Sequence, residues 1–202
     1  MNIERTYCIN LNHRTDRWEN VQKEFKKMDL DSNDVIRFDG VKKEQGHVGC
    51  MFSHLAVLEE CRRLYRFMIL EDDVKFESNA STLTKLALYQ LKRIEWDMLY
   101  IGCNPQAPIR RFTDNTFRLK KSLCAHAIIF NGNRVVNYIL KNKELIYEKQ
   151  KIDVFYADVI QEKFMCLGVY PIAAIQTDSY SDVKKAIGYG SEIKSNFNKM
   201  VR

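Results

Sequence analysis

Residues Phe67-Met68-Ile69-Leu70 form an apolar run that ends in three consecutive acids, Glu71-Asp72-Asp73, before Val74. Such a run reads as a buried strand, and a strand that stops on acids delivers them to one edge of a sheet. Three adjacent carboxylates repel one another unless a cation, or a ligand carried by a cation, neutralises them. Hard divalent ions such as Mg²⁺ and Mn²⁺ take oxygen ligands of this kind and often complete their shell with substrate phosphates. The competing reading is a strand that exits into a solvated acidic turn.

Strand patterns at residues 6–11, 35–38, 67–70, 98–101, 127–130 and 169–172 alternate with helical patterns at 18–28, 46–65, 81–94, 133–140 and 154–164. That alternation predicts an α/β fold with a mainly parallel central sheet, whose ligands bind at the carboxyl ends of the strands. Asp114-Asn115, between two short alternating runs, predicts a β-hairpin within residues 109–121. Periodicity fades from Ser179 onward, so the chain reads as one domain over residues 1–183 followed by a basic tail at 184–202.

A length of 202 residues, 46% of them apolar and 29% charged, is enough for one sizeable core. No stretch approaches the roughly 18 apolar residues that span a bilayer. The six cysteines include no C-x-x-C pair, which argues against zinc, and their scatter through strand and helix patterns suits reduced thiols in a cytoplasmic setting. The net charge is +6, with basic clusters at Lys23 to Lys27, Arg110-Arg111, Arg118 to Lys121, Lys184-Lys185 and the C-terminus. No aromatic-and-basic recognition motif accompanies them, so nucleic acid is not the expected partner. A phosphorylated small molecule or peripheral contact with an anionic membrane face suits such a surface.

Known phosphate loops are missing around the acids. The chain has no G-x-x-x-x-G-K-[ST] loop, and Asn12-His13-Arg14-Thr15 stands where a dinucleotide fold places its glycines. Arg14 and Arg17 instead follow the first strand, where they can approach phosphate oxygens or the acids. The stretch Gly46 to His54 opens the second helix, and its two glycines let backbone approach an anionic ligand at the helix N-terminus.

Three motifs stand in the order and spacing of glycosyltransferase family 25: Ile9-Asn10-Leu11 with Arg14, Asp16 and Arg17; Gly49-Cys50 with Ser53-His54; and Leu70-Glu71-Asp72-Asp73-Val74. The chain resembles that family, and weaker matches at Ile152-Asp153, Gln176 and Ser181-Asp182 extend the resemblance to residue 183. It implies a GT-A-type, Rossmann-like domain, a UDP-sugar donor, a divalent metal (Mn²⁺ or Mg²⁺) and inversion at the anomeric carbon. On that scheme Glu71-Asp72-Asp73 takes the place of a D-x-D motif, with Asp73 and Glu71 as metal ligands. Asn10, Arg14, Arg17, Ser53, His54, Glu71 and Asp72 form the donor-binding set. Asp153 is the implied general base, and it equally suits an N-terminal helix cap. Asp158, Asp178 and Asp182 are reserves for that role, and His126 is a further histidine that can reach the site. Ile128 stands where the family usually has tyrosine.

The expected function is therefore transfer of galactose or glucose from a UDP-sugar to the hydroxyl of a glycan, glycolipid or protein. Two alternatives use the same acids: a non-catalytic sugar-nucleotide or glycan-binding domain, and a metal-dependent phosphotransferase.

Overall fold

A computed structural model describes residues 2–149, 151–177 and 189–200. Its central sheet has eight strands in the order β2 (Val35–Asp39), β1 (Arg5–Asn10), β3 (Arg66–Glu71), β10 (Ala127–Asn131), β5 (Met98–Tyr100), β11 (Cys166–Val169), β8 (Thr116–Arg118) and β7 (Arg110–Thr113). β1 pairs in parallel with β2 and β3, and β5 in parallel with β11. β10 runs antiparallel between β3 and β5. The result is a mixed α/β domain with parallel core strands, Rossmann-like in layout; the alternating pattern predicts the α/β class, while antiparallel β10 and the antiparallel β8–β7 edge make the sheet mixed and not mainly parallel.

Both faces of this sheet are covered, which is why β3 reads as an unbroken apolar run. Side chains alternate across a strand, so Phe67 and Ile69 enter one core while Met68 and Leu70 enter the other, all four with no exposed surface. Full burial of each contributes about 1.5–3 kcal/mol. The first core is closed by α2 (Gly46–Glu60), α4 (Arg134–Lys141), α5 (Lys143–Lys149) and α6 (Ile152–Phe155), through residues such as Met51, Leu55, Ile139, Ile146 and Phe155. The second is closed by α1 (Thr15–Phe25) and α3 (Ala80–Gln90), through Val21, Phe25, Leu83 and Ala87.

Several elements differ from the sequence pattern, each for a local reason. The helix expected at 154–164 is interrupted: α6 passes through a π turn at Tyr156–Ile160 before α7 (Gln161–Lys163). The late strand is Cys166–Val169 and not 169–172. Gly168 hides it, because a Cβ there would stand 2.4 Å from the Phe117 ring. The hairpin forms as β7–β8. Two ribbons, β4 (Val74–Phe76) with β12 (Ala174–Gln176) and β6 (Asn104–Pro105) with β9 (Ser122–Leu123), are too short to show a period.

The weakly periodic C-terminal stretch contains a helix, α8 (Tyr189–Met200). Its two buried apolar residues, Ile193 and Phe197, are four apart and share one face. Phe197 meets the rings of Phe117 and Tyr170, and the Met200 carbonyl accepts a hydrogen bond from the Ile109 amide. Among the described residues no helix is long and apolar enough to cross a membrane.

Candidate functional site

Period two decides what happens to the three acids. Glu71, in register with Phe67 and Ile69, faces α2, where His54 Nε2 lies 2.9 Å and Cys50 Sγ 3.7 Å from its Oε1. Asp72 turns toward α1. Its Oδ1 accepts from Arg17 Nη1 at 2.9 Å and its Oδ2 from Asn10 Nδ2 at 2.6 Å. Asp73 begins the crossing to β12: its Oδ2 accepts from Gln176 Nε2 at 3.1 Å, and its carbonyl accepts from the Thr177 amide. Its Oδ1 is buried without a hydrogen-bond partner. Mutual repulsion, which suggests a cation for all three acids, is thus relieved within the chain for two of them.

The electrostatics follow these partners. Burial alone would raise the Glu71 pKa, but the hydrogen bond and charge of His54, helped by His126, hold it below the ordinary carboxylate value. Burial raises Asp72 despite Arg17 and Asn10. Asp73 is pushed up to about 8 by burial and then by the charges of Glu71 and Asp72, with Arg17 and Gln176 opposing. A buried carboxylate oxygen with no donor, on a group that resists ionisation, fits a divalent cation as the missing partner.

Cys50 joins the third strand to α6. Burial raises its thiol pKa well above normal, and the charges of Glu71, Asp153 and Asp73 add to that shift. Asp153 is the second residue of α6. Lys151 occupies the cap position, so the cap role open to Asp153 in the sequence is not the one it plays. Its Oδ1 accepts from the Val154 amide at 2.9 Å and its Oδ2 from the Cys124 amide at 3.4 Å. Cys124 holds a left-handed φ of 72°, a costly conformation for a non-glycine residue that turns its amide toward the carboxylate.

His126 precedes β10, and its carbonyl accepts from the Glu71 amide at 2.9 Å. Its fully buried ring is held near a pKa of about 4, because burial outweighs the pull of Glu71 and the Ala174 carbonyl. Gly102 makes room for it: a Cβ there would lie 2.5 Å from His126 Nε2 and 2.0 Å from the Ala174 carbonyl oxygen.

Other expected residues make local contacts. Ser53 is buried and bonds the Gly49 carbonyl and the Val41 amide, each at 2.8 Å, so it holds the loop before α2. Gly49 serves the same packing, since a Cβ would meet the Val41 carbonyl oxygen at 2.4 Å; the close approach expected for a ligand is made by the chain itself. The Arg14 guanidinium pairs with Asp16 in the first turn of α1, and the Arg14 carbonyl accepts from Asn10 Nδ2 at 3.1 Å, beside Asp72. Asp158 pairs with Lys149 on the exposed face of the π turn. Asp178, Ser181 and Asp182 fall outside the described residues.

Two participants escaped sequence reasoning. Arg37 of β2 donates to Asn10 Oδ1 through Nε at 2.9 Å and Nη2 at 2.6 Å, which fixes the amide that holds Asp72. Nothing in the local pattern marks it. Cys50, His54 and Glu71 place three ligand atoms within 4.8 Å of one another, a group able to hold a metal ion. The missing C-x-x-C pair therefore does not exclude a thiol-containing metal site. The signal was the four-residue spacing of Cys50 and His54, one helical turn.

Comparison with known proteins agrees with these motifs. Residues 44–141 match the profile of the family described as "Glycosyltransferase family 25 (LPS biosynthesis protein)". The inactive glycosyltransferase 25 family member 3 of Homo sapiens is 38% identical over 69 residues, 32% of this chain and 12% of that protein. Procollagen galactosyltransferase 1-B of Xenopus laevis is 27% identical over 131 residues, 50% of this chain and 21% of that protein. The chain thus spans between about an eighth and a fifth of the length of these curated relatives. Among solved structures, the CTP:phosphocholine cytidylyltransferase of Streptococcus pneumoniae superposes with a TM-score of 0.44 at 11% identity, over 91% of this chain and 77% of that one. A likeness that remote carries no functional argument. Over residues 44–141 the chain is similar to glycosyltransferase family 25, and shorter stretches are similar to the inactive human family member and to the frog procollagen galactosyltransferase.

Proposed function

We propose that this domain binds a UDP-sugar together with a divalent metal ion and transfers the hexose, with inversion, to the hydroxyl of a glycan, glycolipid or protein. The observation that carries the reading is Asp73 Oδ1, a buried carboxylate oxygen without a partner at the carboxyl end of a parallel core strand. Asp73, with Glu71 beside it, would hold the ion, in the place of a D-x-D motif. Bound there, Mn²⁺ or Mg²⁺ supplies Lewis-acid stabilisation for the charge on departing UDP.

The chain's own groups do the rest. Arg17, Asn10 and Arg37 fix Asp72 at the donor side. His54 anchors Glu71. Asp153, which accepts from the Cys124 amide, takes the proton from the acceptor hydroxyl. Arg14 and Ser53 have no part in this scheme.

A non-catalytic sugar-nucleotide-binding domain is the second reading. Glu71 and Asp72 already have partners within the chain, and one of the relatives compared is named inactive. A panel of UDP- and GDP-sugars with Mn²⁺, monitored for release of UDP or GDP, separates the two. The first reading expects Mn²⁺-dependent UDP release, and Asp73→Asn should lose Mn²⁺-dependent UDP binding by calorimetry. Tight UDP binding with neither transfer nor slow hydrolysis of any sugar nucleotide would establish the second.

A further inference from the structure

One part of this site is chemically out of keeping with an oxygen-only centre. Cys50 and His54 stand one turn apart on α2, and both meet the side chain at the end of β3. The three ligand atoms already lie close together: Sγ to Oε1 is 3.7 Å and Nε2 to Oε1 is 2.9 Å, with all pairs inside 4.8 Å. Zinc bonds of about 2.3 Å to sulfur and about 2.0–2.2 Å to nitrogen and oxygen put tetrahedral ligands roughly 3.3–3.6 Å apart. Opening the His54–Glu71 contact by a few tenths of an ångström, and drawing Sγ and Nε2 from within 4.8 Å to about 3.6 Å of each other, completes the geometry. Thiolate and imidazole select zinc over magnesium or manganese. Cys50 is also half-buried, where the other five cysteines are buried.

We propose that Cys50, His54 and Glu71 form a zinc site with three protein ligands and an open fourth position, and that its occupation excludes the sugar-nucleotide complex by withdrawing Glu71. The exclusion rests on the functional reading above; the zinc site itself does not. On binding, the Cys50 thiol proton leaves to solvent and Sγ bonds the ion as thiolate. The His54 ring coordinates through Nε2, with its proton on Nδ1. That nitrogen is buried and has no hydrogen-bond partner, which leaves the site weaker than a structural zinc centre.

Cobalt(II), a spectroscopic stand-in for zinc, tests the site on the full chain. One equivalent should produce a thiolate-to-cobalt charge-transfer band and intense tetrahedral d–d bands. Zn²⁺ should displace both, and Cys50→Ser should lose the charge-transfer band. A folded wild-type protein without that band, or a band that persists in Cys50→Ser, overturns the proposal. Alkylation of wild-type Cys50, followed by mass spectrometry, gives a reading that needs no variant: Zn²⁺ should slow it at least tenfold, and an unchanged rate counts against the site. For the exclusion, one equivalent of Zn²⁺ should weaken Mn²⁺-dependent UDP binding at least tenfold in wild type and leave Cys50→Ser unaffected. Unchanged UDP affinity in zinc-loaded wild type overturns it. Failure to bind UDP even without zinc overturns the functional reading and the exclusion together, and leaves the cobalt result standing.

Discussion

Arg17 Nη1 lies 2.9 Å from Asp72 Oδ1, and so ties the first turns of α1 to the end of β3 across 55 residues of sequence. The pair is largely removed from solvent, with side chains 14% and 10% exposed. Arg17→Met leaves a largely buried carboxylate held by Asn10, at a cost of about 2 kcal/mol. Asp72→Asn in the Arg17→Met background should recover most of that loss. Urea denaturation of the two single variants and the double variant measures the coupling, and additive losses would show that the pair contributes nothing.

Asp73 should make the metal-free protein less stable as pH rises. Burial, then Glu71 and Asp72, lift its folded pKa to about 8. Below the unfolded value of about 3.9 both states carry the proton and stability is unaffected. Between there and about 8 the unfolded chain releases a proton that the folded chain keeps, so the folded state loses stability through that window. Asp73→Asn removes the penalty. The metal-free variant should be more stable than wild type by on the order of a few kcal/mol at pH 8, with the difference vanishing toward pH 4. Mn²⁺ should raise the melting temperature of wild type and not that of the variant. Melting curves at three pH values, with and without the ion, check both signs.

Much of this site was legible at β3. Burial on both faces produces the apolar run, and the two-residue period already separates Glu71 from Asp72 onto opposite faces. What the run cannot show is which groups wait there. His54, Arg17 and Gln176 come from three different elements, and their arrival depends on how α1, α2 and β12 pack. Ser53 stands beside His54 in sequence yet lies about 100° round the helix from it, toward Val41. Motif membership alone could not divide those two neighbours between packing and the site. The helix α8 was obscure because two apolar residues among polar ones leave only a faint period.

Gly102 and Gly168 should tolerate alanine differently. At Gly102 the new methyl meets a backbone carbonyl at 2.0 Å and the buried His126 ring at 2.5 Å, neither free to move. At Gly168 the nearest atoms it meets all belong to the Phe117 ring, from 2.4 Å. Overpacking costs about 1–3 kcal/mol and more where backbone must shift. Gly102→Ala should therefore lose at least about 3 kcal/mol, and Gly168→Ala less than that. The reverse order in chemical denaturation would refute the placement of His126 against Gly102.

Truncation of Phe197 tests whether α8 belongs to the folded unit. The side chain is 3% exposed, between Phe117 and Tyr170. Phe197→Ala should cost about 3–4 kcal/mol if α8 unfolds with the sheet. A loss under about 0.5 kcal/mol, the level of an ordinary surface change, would mean that α8 contributes nothing to global stability.

Asp153→Asn separates a proton acceptor from a structural carboxylate. Asparagine keeps an oxygen for the Val154 amide at the start of α6, so the helix should be preserved. Its amide cannot take a proton from an attacking hydroxyl, and a lost general base costs about 10²–10⁴-fold in rate. UDP affinity with Mn²⁺ should stay within twofold of wild type while turnover falls by that factor. Turnover unchanged at every pH would remove Asp153 from the chemistry. Loss of UDP binding along with turnover would place it at the donor and not at the acceptor hydroxyl.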